Sequence, residues 1–95
     1  MPTLRIEHPV PDFEAWKQAF DNDPLGREQS GVRRYRVFRS IDDPAYVMVD
    51  MEFDSVDQAQ AMREALRGLW DRVQGEGLIA DQQARLVEDV ESHEY

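Results

Sequence analysis

The sequence of 95 residues contains no cysteine. This absence excludes disulfide bonds, thiolate metal sites and cysteine nucleophiles together. Basic residues are also scarce, because 11 Lys and Arg stand against 20 Asp and Glu and give a formal net charge of -9. Nucleic acids and anionic membranes attract clusters of Lys and Arg, so we expect neither of them as a partner.

Long apolar runs are missing as well. No stretch approaches the ~20 apolar residues that a membrane-spanning helix needs. The N-terminal segment shows no basic region followed by an apolar one, so no secretion signal is expected and a cytoplasmic location is the default. What remains, 41% hydrophobic and 33% charged residues, is typical of a folded globular protein. We expect one domain over residues 1–95, with a loose tail at about 91–95.

Four segments have the patterns of β-strands. Residues 3–8 alternate strictly, and the alternation places His8 on the apolar side. Residues 32–39 are rich in strand-forming side chains, and residues 45–53 alternate again after a turn sequence. The short separation of these two segments predicts an antiparallel hairpin. Residues 84–90 supply a last short strand.

Two segments have helical periodicity. Asp12 is a good N-cap, and Phe13, Trp16 and Phe20 then recur at helical spacing, which predicts a helix over about 12–21. Ser55 and Gln58 form a capping-box sequence at the start of a second helix, over about 56–73. The apolar face of this helix comprises Ala59, Met62, Leu66, Leu69 and Val73.

The predicted order is β-α-β-β-α-β, with Gly75 and Gly77 ending the second helix. This order is that of the ferredoxin-like α+β fold, a four-stranded antiparallel sheet with both helices on one face. The strand residues expected to face the helices are Leu4, Ile6, Val47, Val49, Met51, Phe53, Leu86 and Val90.

The strand over 32–39 has two possible orientations. We direct Arg34 and Arg36 to the face without helices, because burying unpaired guanidinium groups under the helices is costly. Tyr35 and Val37 then join the core. The choice depends on the register of the hairpin, since a slip of one residue reverses it.

On this choice, charges of both signs oppose one another on the open face of the sheet. Arg34 and Arg36 lie against Asp50 and Glu52, and a cross-strand pair such as Arg34 with Asp50 is attractive. These four residues are candidate interface or cavity charges. One interpretation is that they bind an anionic ligand or tune the pKa of a carboxylate. The other is that they form only an ion-pair network, either in an interface or in solvent.

Two interpretations of the open face remain. Alternating charge is normal on a solvated sheet face. The face also carries large apolar side chains, which a solvent-exposed sheet face does not need. These are Val32, Phe38, Tyr46, Met48 and Val87. A chain of this length buries only roughly 60–65% of its unfolded surface, so pairing with a second copy would add stability. A homodimer through the open face is therefore expected.

The element order, the length and a set of short sequences together resemble the dimeric α+β-barrel superfamily. These sequences are Gly31-Val32, Asp43-Pro44, Phe53-Asp54-Ser55 and Ala59. The superfamily includes antibiotic-biosynthesis monooxygenase-like domains and small polyketide-cyclase-like proteins. The resemblance implies two ferredoxin-like subunits packed sheet against sheet, each with a pocket between its sheet and helices.

Residues distinguish some branches of this superfamily. Haem-degrading members use a helix histidine as the axial ligand, and residues 56–73 contain none, so haem is not expected. Cofactor-independent oxygenases position their substrate with polar and aromatic groups. Trp16 matches this description, but Asn22, the only asparagine, lies at a helix end. No cluster of His, Asp and Glu has metal-ligand spacing, so we expect neither a metal nor another cofactor.

His8 is the candidate acid–base residue, because a neutral imidazole can take and return a proton near pH 7. Its alternative role is a simple strand-end hydrogen bond. Trp16, Tyr35 and Trp70 are candidate substrate-binding residues, since aromatic side chains suit a small planar ligand. Core packing is the alternative, and helical spacing already explains the two tryptophans on that basis.

Two functions stay open. The first is a cyclase or a cofactor-independent monooxygenase that acts on an aromatic or polyketide-like substrate. The second is a non-catalytic ligand-binding or interaction module.

Overall fold

The computed structural model describes residues 1–74 and 82–95, and its element order is the predicted one. The elements are β1 (Thr3–Pro9), α1 (Phe13–Asp21), β2 (Arg34–Arg39), β3 (Tyr46–Glu52), α2 (Val56–Gln74) and β4 (Gln83–Val87). The prediction that Gly75 and Gly77 end the second helix lies outside the described residues.

The four strands form one antiparallel sheet in the order β2-β3-β1-β4. The ferredoxin-like architecture is therefore confirmed. β1 is an inner strand that pairs with β3 on one side and with β4 on the other. His8, near the end of β1, lies opposite Val47 of β3.

The register of β2 against β3 answers the question that the sequence left open. Arg34 lies opposite Glu52, and Arg36 lies opposite Asp50. Both arginines therefore share the open face of the sheet with Asp50 and Glu52, as expected. The expected pairing of Arg34 with Asp50 is wrong, because Arg34 lies opposite Glu52, two residues further along β3.

The core lies between the sheet and the two helices. Its largest fully buried side chains are Phe53, Leu4 and Val47. Fully burying side chains of this kind contributes roughly 1.5–3 kcal/mol each relative to leaving them in water. The buried core cluster comprises Leu4, Ile6, Val49, Met51, Phe53, Ala59, Met62 and Leu66.

Side-chain caps fix where both helices begin. The Oδ1 atom of Asp12 accepts hydrogen bonds from the amides of Glu14 and Ala15, at 3.0 and 3.4 Å. The Ser55 hydroxyl accepts one from the Gln58 amide at 3.2 Å. These bonds satisfy backbone donors that have no partner inside the helix.

Three expectations about individual side chains were wrong. Val90 is 91% exposed, because β4 ends at Val87 and the chain beyond it leaves the sheet. Tyr35 points to the helix side but is 44% exposed, because edge strand β2 extends beyond the cover of the helices. Val32 packs against the core and not on the open face, because β2 begins at Arg34 and the alternation does not extend back to it.

A candidate ligand-binding cavity

A cavity of about 350 Å³ lies between the sheet and the helices. Ile6, Val49 and Met51 form its sheet side. Met62 and Leu66 line it from α2. Most of the lining is apolar, and its polar side chains in the described part of the chain are His8, Asp12, Asn22 and Arg27. An apolar cavity with a few polar groups is the usual form of a small-molecule site.

His8 is held in one tautomer. The residue is 2% exposed, and its Nδ1 atom lies 3.1 Å from the carbonyl oxygen of Pro9. A carbonyl oxygen only accepts, so Nδ1 carries the proton and donates it. Nε2 is then the acceptor of the ring, and no residue in the described ranges bonds to it.

Burial lowers the pKa of His8, and the hydrogen bond to Pro9 only partly opposes this effect. Removing the imidazolium ion from water is unfavourable, whereas the neutral ring tolerates an apolar environment. His8 is therefore neutral at pH 7. A neutral imidazole with an open Nε2 is equipped to accept a hydrogen bond or a proton.

One tryptophan from each helix flanks His8. The ring centroid of Trp16 lies 6.0 Å from that of His8, and the centroid of Trp70 lies 6.3 Å from it. Both pairs meet edge to face, with interplanar angles of 70°. Both indoles line the cavity, so it combines flat aromatic surfaces with one base.

The aromatic lining continues from Trp16 toward the end of α1. Phe20 stacks on Trp16 with a centroid distance of 5.2 Å, as expected for side chains one helical turn apart. Tyr35 contacts the outer side of this row, 5.4 Å from the Phe20 centroid. Tyr35 itself is not part of the cavity lining. Its role as a substrate contact stays a prediction, and an indirect effect on a ligand would act through the neighbours of Tyr35 that line the cavity.

Arg27 lies at the far end of this row, in the irregular segment between α1 and β2. Its guanidinium carbon lies 4.0 Å from the ring centroid of Phe20 and 4.8 Å from that of Tyr35. Its Nη1 atom donates to the Phe20 carbonyl oxygen at 2.8 Å. Sequence analysis missed this residue, because an irregular segment has no periodicity that marks which side chains turn inward.

The four candidate charges of the sheet lie on its opposite face, away from this cavity. Asp50 accepts two hydrogen bonds from Arg5, each of 2.9 Å. Arg34 donates to Glu52 at 2.5 Å, and the guanidinium of Arg36 lies 5.0 Å from the ring of Phe38. The structure thus separates these charges from His8 and the tryptophans.

Within residues 1–74 and 82–95, no group of three or more His, Cys, Asp or Glu is placed to hold a metal ion. No helix in the same ranges is long and apolar enough to cross a membrane.

The chain is similar to known proteins in its fold and not in its sequence. No protein-family model matches the chain, and no curated protein matches it. Solved structures match over nearly its whole length. A protein from Deinococcus radiodurans, provisionally named as an antibiotic biosynthesis monooxygenase, is 16% identical with a TM-score of 0.72, covering 100% of this chain and 98% of its own.

Two further structures carry the same provisional name. The protein from Bordetella bronchiseptica is 20% identical with a TM-score of 0.70, over 94% of this chain and 97% of its own. The protein from Nitrosomonas europaea is 21% identical with a TM-score of 0.66, over 96% of this chain and 100% of its own. The chain therefore has the ferredoxin-like fold of the antibiotic biosynthesis monooxygenase-like structures.

Proposed function

We propose that this chain binds a small, planar and largely apolar molecule in the cavity and catalyses its cofactor-independent monooxygenation or cyclisation, with His8 as the acid–base residue. The observation that carries the proposal is the geometry of His8. The ring is neutral, fixed by Pro9 and flanked by two indoles, inside a cavity of about 350 Å³.

The two reaction classes share a first step that this site can perform. Nε2 of His8 accepts a proton from a phenol, an enol or an activated C–H group of the substrate. The resulting phenolate, enolate or carbanion either attacks a carbonyl group within the molecule or reacts with O2. Trp16 and Trp70 hold the planar substrate beside the ring, so the proton transfer occurs within one bound complex.

The names of the similar structures favour oxygenation over cyclisation. A probe for this chemistry is 1,8-dihydroxyanthrone, which is planar and carries an acidic C–H group. Its reaction with one O2 gives the corresponding anthraquinone and one water, so the balance needs no cofactor.

The test follows O2 uptake and quinone absorbance with this probe. We expect His8→Gln to lose turnover, because glutamine cannot act as a base. His93→Gln is the matched control, since His93 lies in the exposed tail and faces Tyr95 at a centroid distance of 4.7 Å. Equal rates for the wild type and His8→Gln would contradict the assigned role.

Binding of the probe without turnover would favour the second candidate function, a non-catalytic ligand-binding module. The described lining supports this candidate in one respect. Asp12 is its only carboxylate, and the Oδ1 atom of Asp12 already accepts two backbone hydrogen bonds at the start of α1. A catalyst on this site therefore depends on His8 alone for proton transfer.

The proposed assembly is a homodimer through the open face of the sheet. The side chains of Asp50 and Glu52 are only 15% and 20% exposed, although no helix or strand in the described ranges covers that face of the sheet. Arginine pairs such as Arg5–Asp50 tolerate partial burial better than lysine pairs, because the planar guanidinium makes two bonds to a carboxylate. Light scattering during size-exclusion chromatography tests this, and a mass near 11.1 kDa at micromolar concentration would contradict it.

A further inference from the structure

The cavity has different polar groups at its two ends. His8 contacts Trp16, Trp16 stacks on Phe20, and the Arg27 guanidinium covers Phe20. All four side chains line the cavity. The row of two aromatic rings therefore separates a neutral base at one end from a permanent cation at the other.

The Arg27 guanidinium has donors to spare. It carries five N–H groups, and in the described ranges only Nη1 has partners. These are the Phe20 carbonyl oxygen at 2.8 Å and the Asp23 carboxylate at 3.6 Å. The second distance is longer than a normal hydrogen bond, and Nε and Nη2 bond to no described residue.

Arg27 is also held in place before any ligand binds. Its side chain is only 15% exposed, and its guanidinium lies against the rings of Phe20 and Tyr35. A fixed guanidinium loses less side-chain freedom when it binds a carboxylate than a mobile surface arginine does. Partial burial also strengthens its attraction for an anion, because less water screens the charge.

We infer that Arg27 binds an anionic group of the ligand, and that the ligand is a planar carboxylic acid whose ring system lies along Trp16 and Phe20. This inference rests on the proposed function, since it requires the cavity to be the ligand site. A carboxylate at Arg27 places the opposite end of the molecule toward His8. Arg27 would then determine specificity, whereas His8 would perform the proton transfer.

The inference predicts a preference for an acid over its neutral ester. The probes are 6-hydroxy-2-naphthoate and its methyl ester, which differ only in the charged group. In isothermal titration calorimetry at about pH 7.5 the carboxylate is ionised. We expect the wild type to bind the acid about tenfold more tightly than the ester, and this preference to weaken with added NaCl.

Variants locate the preference. Arg27→Gln should weaken acid binding about tenfold and leave ester binding within about twofold, because only the charged contact is lost. Arg27→Lys should keep part of the preference. Arg33→Gln is the matched control, since Arg33 is 63% exposed, pairs with Asp54 and does not line the cavity.

The outcomes are distinguishable. Equal binding of acid and ester by the wild type would overturn the role of Arg27 and leave the ligand cavity in place. An unchanged preference in Arg27→Gln would also overturn it. Binding of neither probe would count against the proposed function itself. The comparison of two probes on the wild type does not depend on any variant folding.

Discussion

His8 donates a hydrogen bond from Nδ1 to the carbonyl oxygen of Pro9, its neighbour in the chain, at 3.1 Å. A carbonyl group does not titrate near neutral pH, so this bond persists when the ring gains a second proton at Nε2. The orientation of His8 is therefore independent of its charge. This independence suits a residue that must accept a proton and return it from the same position.

The lowered pKa of His8 predicts acid sensitivity of the fold. The unfolded chain takes up a proton near the ordinary histidine pKa of 6.5, whereas the folded state takes it up only at lower pH. The unfolded state then binds more protons between these two values, so stability is full above about pH 6.5 and falls as the pH drops below it.

Urea denaturation at a series of pH values measures this effect. His8→Gln should show a smaller loss of stability than the wild type between about pH 6.5 and pH 5, the range above most carboxylate titrations. His93→Gln should follow the wild type. Parallel pH profiles for the wild type and His8→Gln would show that burial of His8 has no energetic consequence.

Trp16 and Tyr35 make a paired prediction about ligand contacts. Trp16 lines the cavity and contacts His8, whereas Tyr35 lies outside the described lining and contacts Phe20 and Arg27. Trp16→Leu should weaken binding of the naphthoate probe by about tenfold, through loss of aromatic contact area. Tyr35→Leu should change it by less than about threefold, because its effect is indirect. Calorimetric titration decides, and a larger effect at Tyr35 would place it in the site after all.

The proposed dimer predicts that a charge on the open face separates the subunits. Met48 lies on that face, opposite Glu7 of β1 and Phe38 of β2. Met48→Glu places a carboxylate directly opposite Glu7 in a sheet-to-sheet interface, and the repulsion and desolvation of these charges should shift the measured mass toward that of one subunit. Ile41→Glu is the control, because Ile41 is 96% exposed in the β2–β3 turn. A dimer that survives Met48→Glu would place the interface elsewhere.

Substitution by alanine should have opposite effects on stability at two glycines. Gly31 has a φ of +99°, which side chains rarely adopt, and a Cβ there would lie 2.9 Å from the Nε2 atom of Gln58. Gly31→Ala should lower the free energy of unfolding by about 1–3 kcal/mol. Gly68 lies within α2, and a methyl group added there would meet no neighbouring side chain within 4 Å, so Gly68→Ala should raise it by about 0.5–1 kcal/mol. Urea denaturation at neutral pH measures both changes, and a stabilising Gly31→Ala would contradict the strain.

The sheet could be predicted from the sequence where one face is strongly buried. The alternation around Ile6 and Val49 has a single solution, because a shift of one residue would expose the core. In β2 the alternation is weak, and the cost of burying Arg34 and Arg36 indicated the correct side. The ends of strands were harder to predict. Val90 is apolar, but it lies beyond Val87, where the pairing of β4 with β1 ends, and it is exposed.

The candidate site was only partly predictable. His8, Trp16 and Trp70 follow from strand alternation and helical spacing, because regular elements carry them. Arg27 does not, because its inward direction depends on the turn structure after α1, including the left-handed backbone of Asp23 and Gly26. Such turns have no repeating pattern in the sequence.

The position of β1 in the sheet has a consequence for how ligand preference can change. His8 belongs to an inner strand that is paired on both sides, whereas Arg27 belongs to an irregular connection. Substitutions or insertions in that connection alter one end of the cavity without disturbing the strand that holds the base. Under the proposed function, the ligand preference of this chain can therefore change through residues 22–33 while His8 keeps its position. Directed evolution of this chain should begin in that segment.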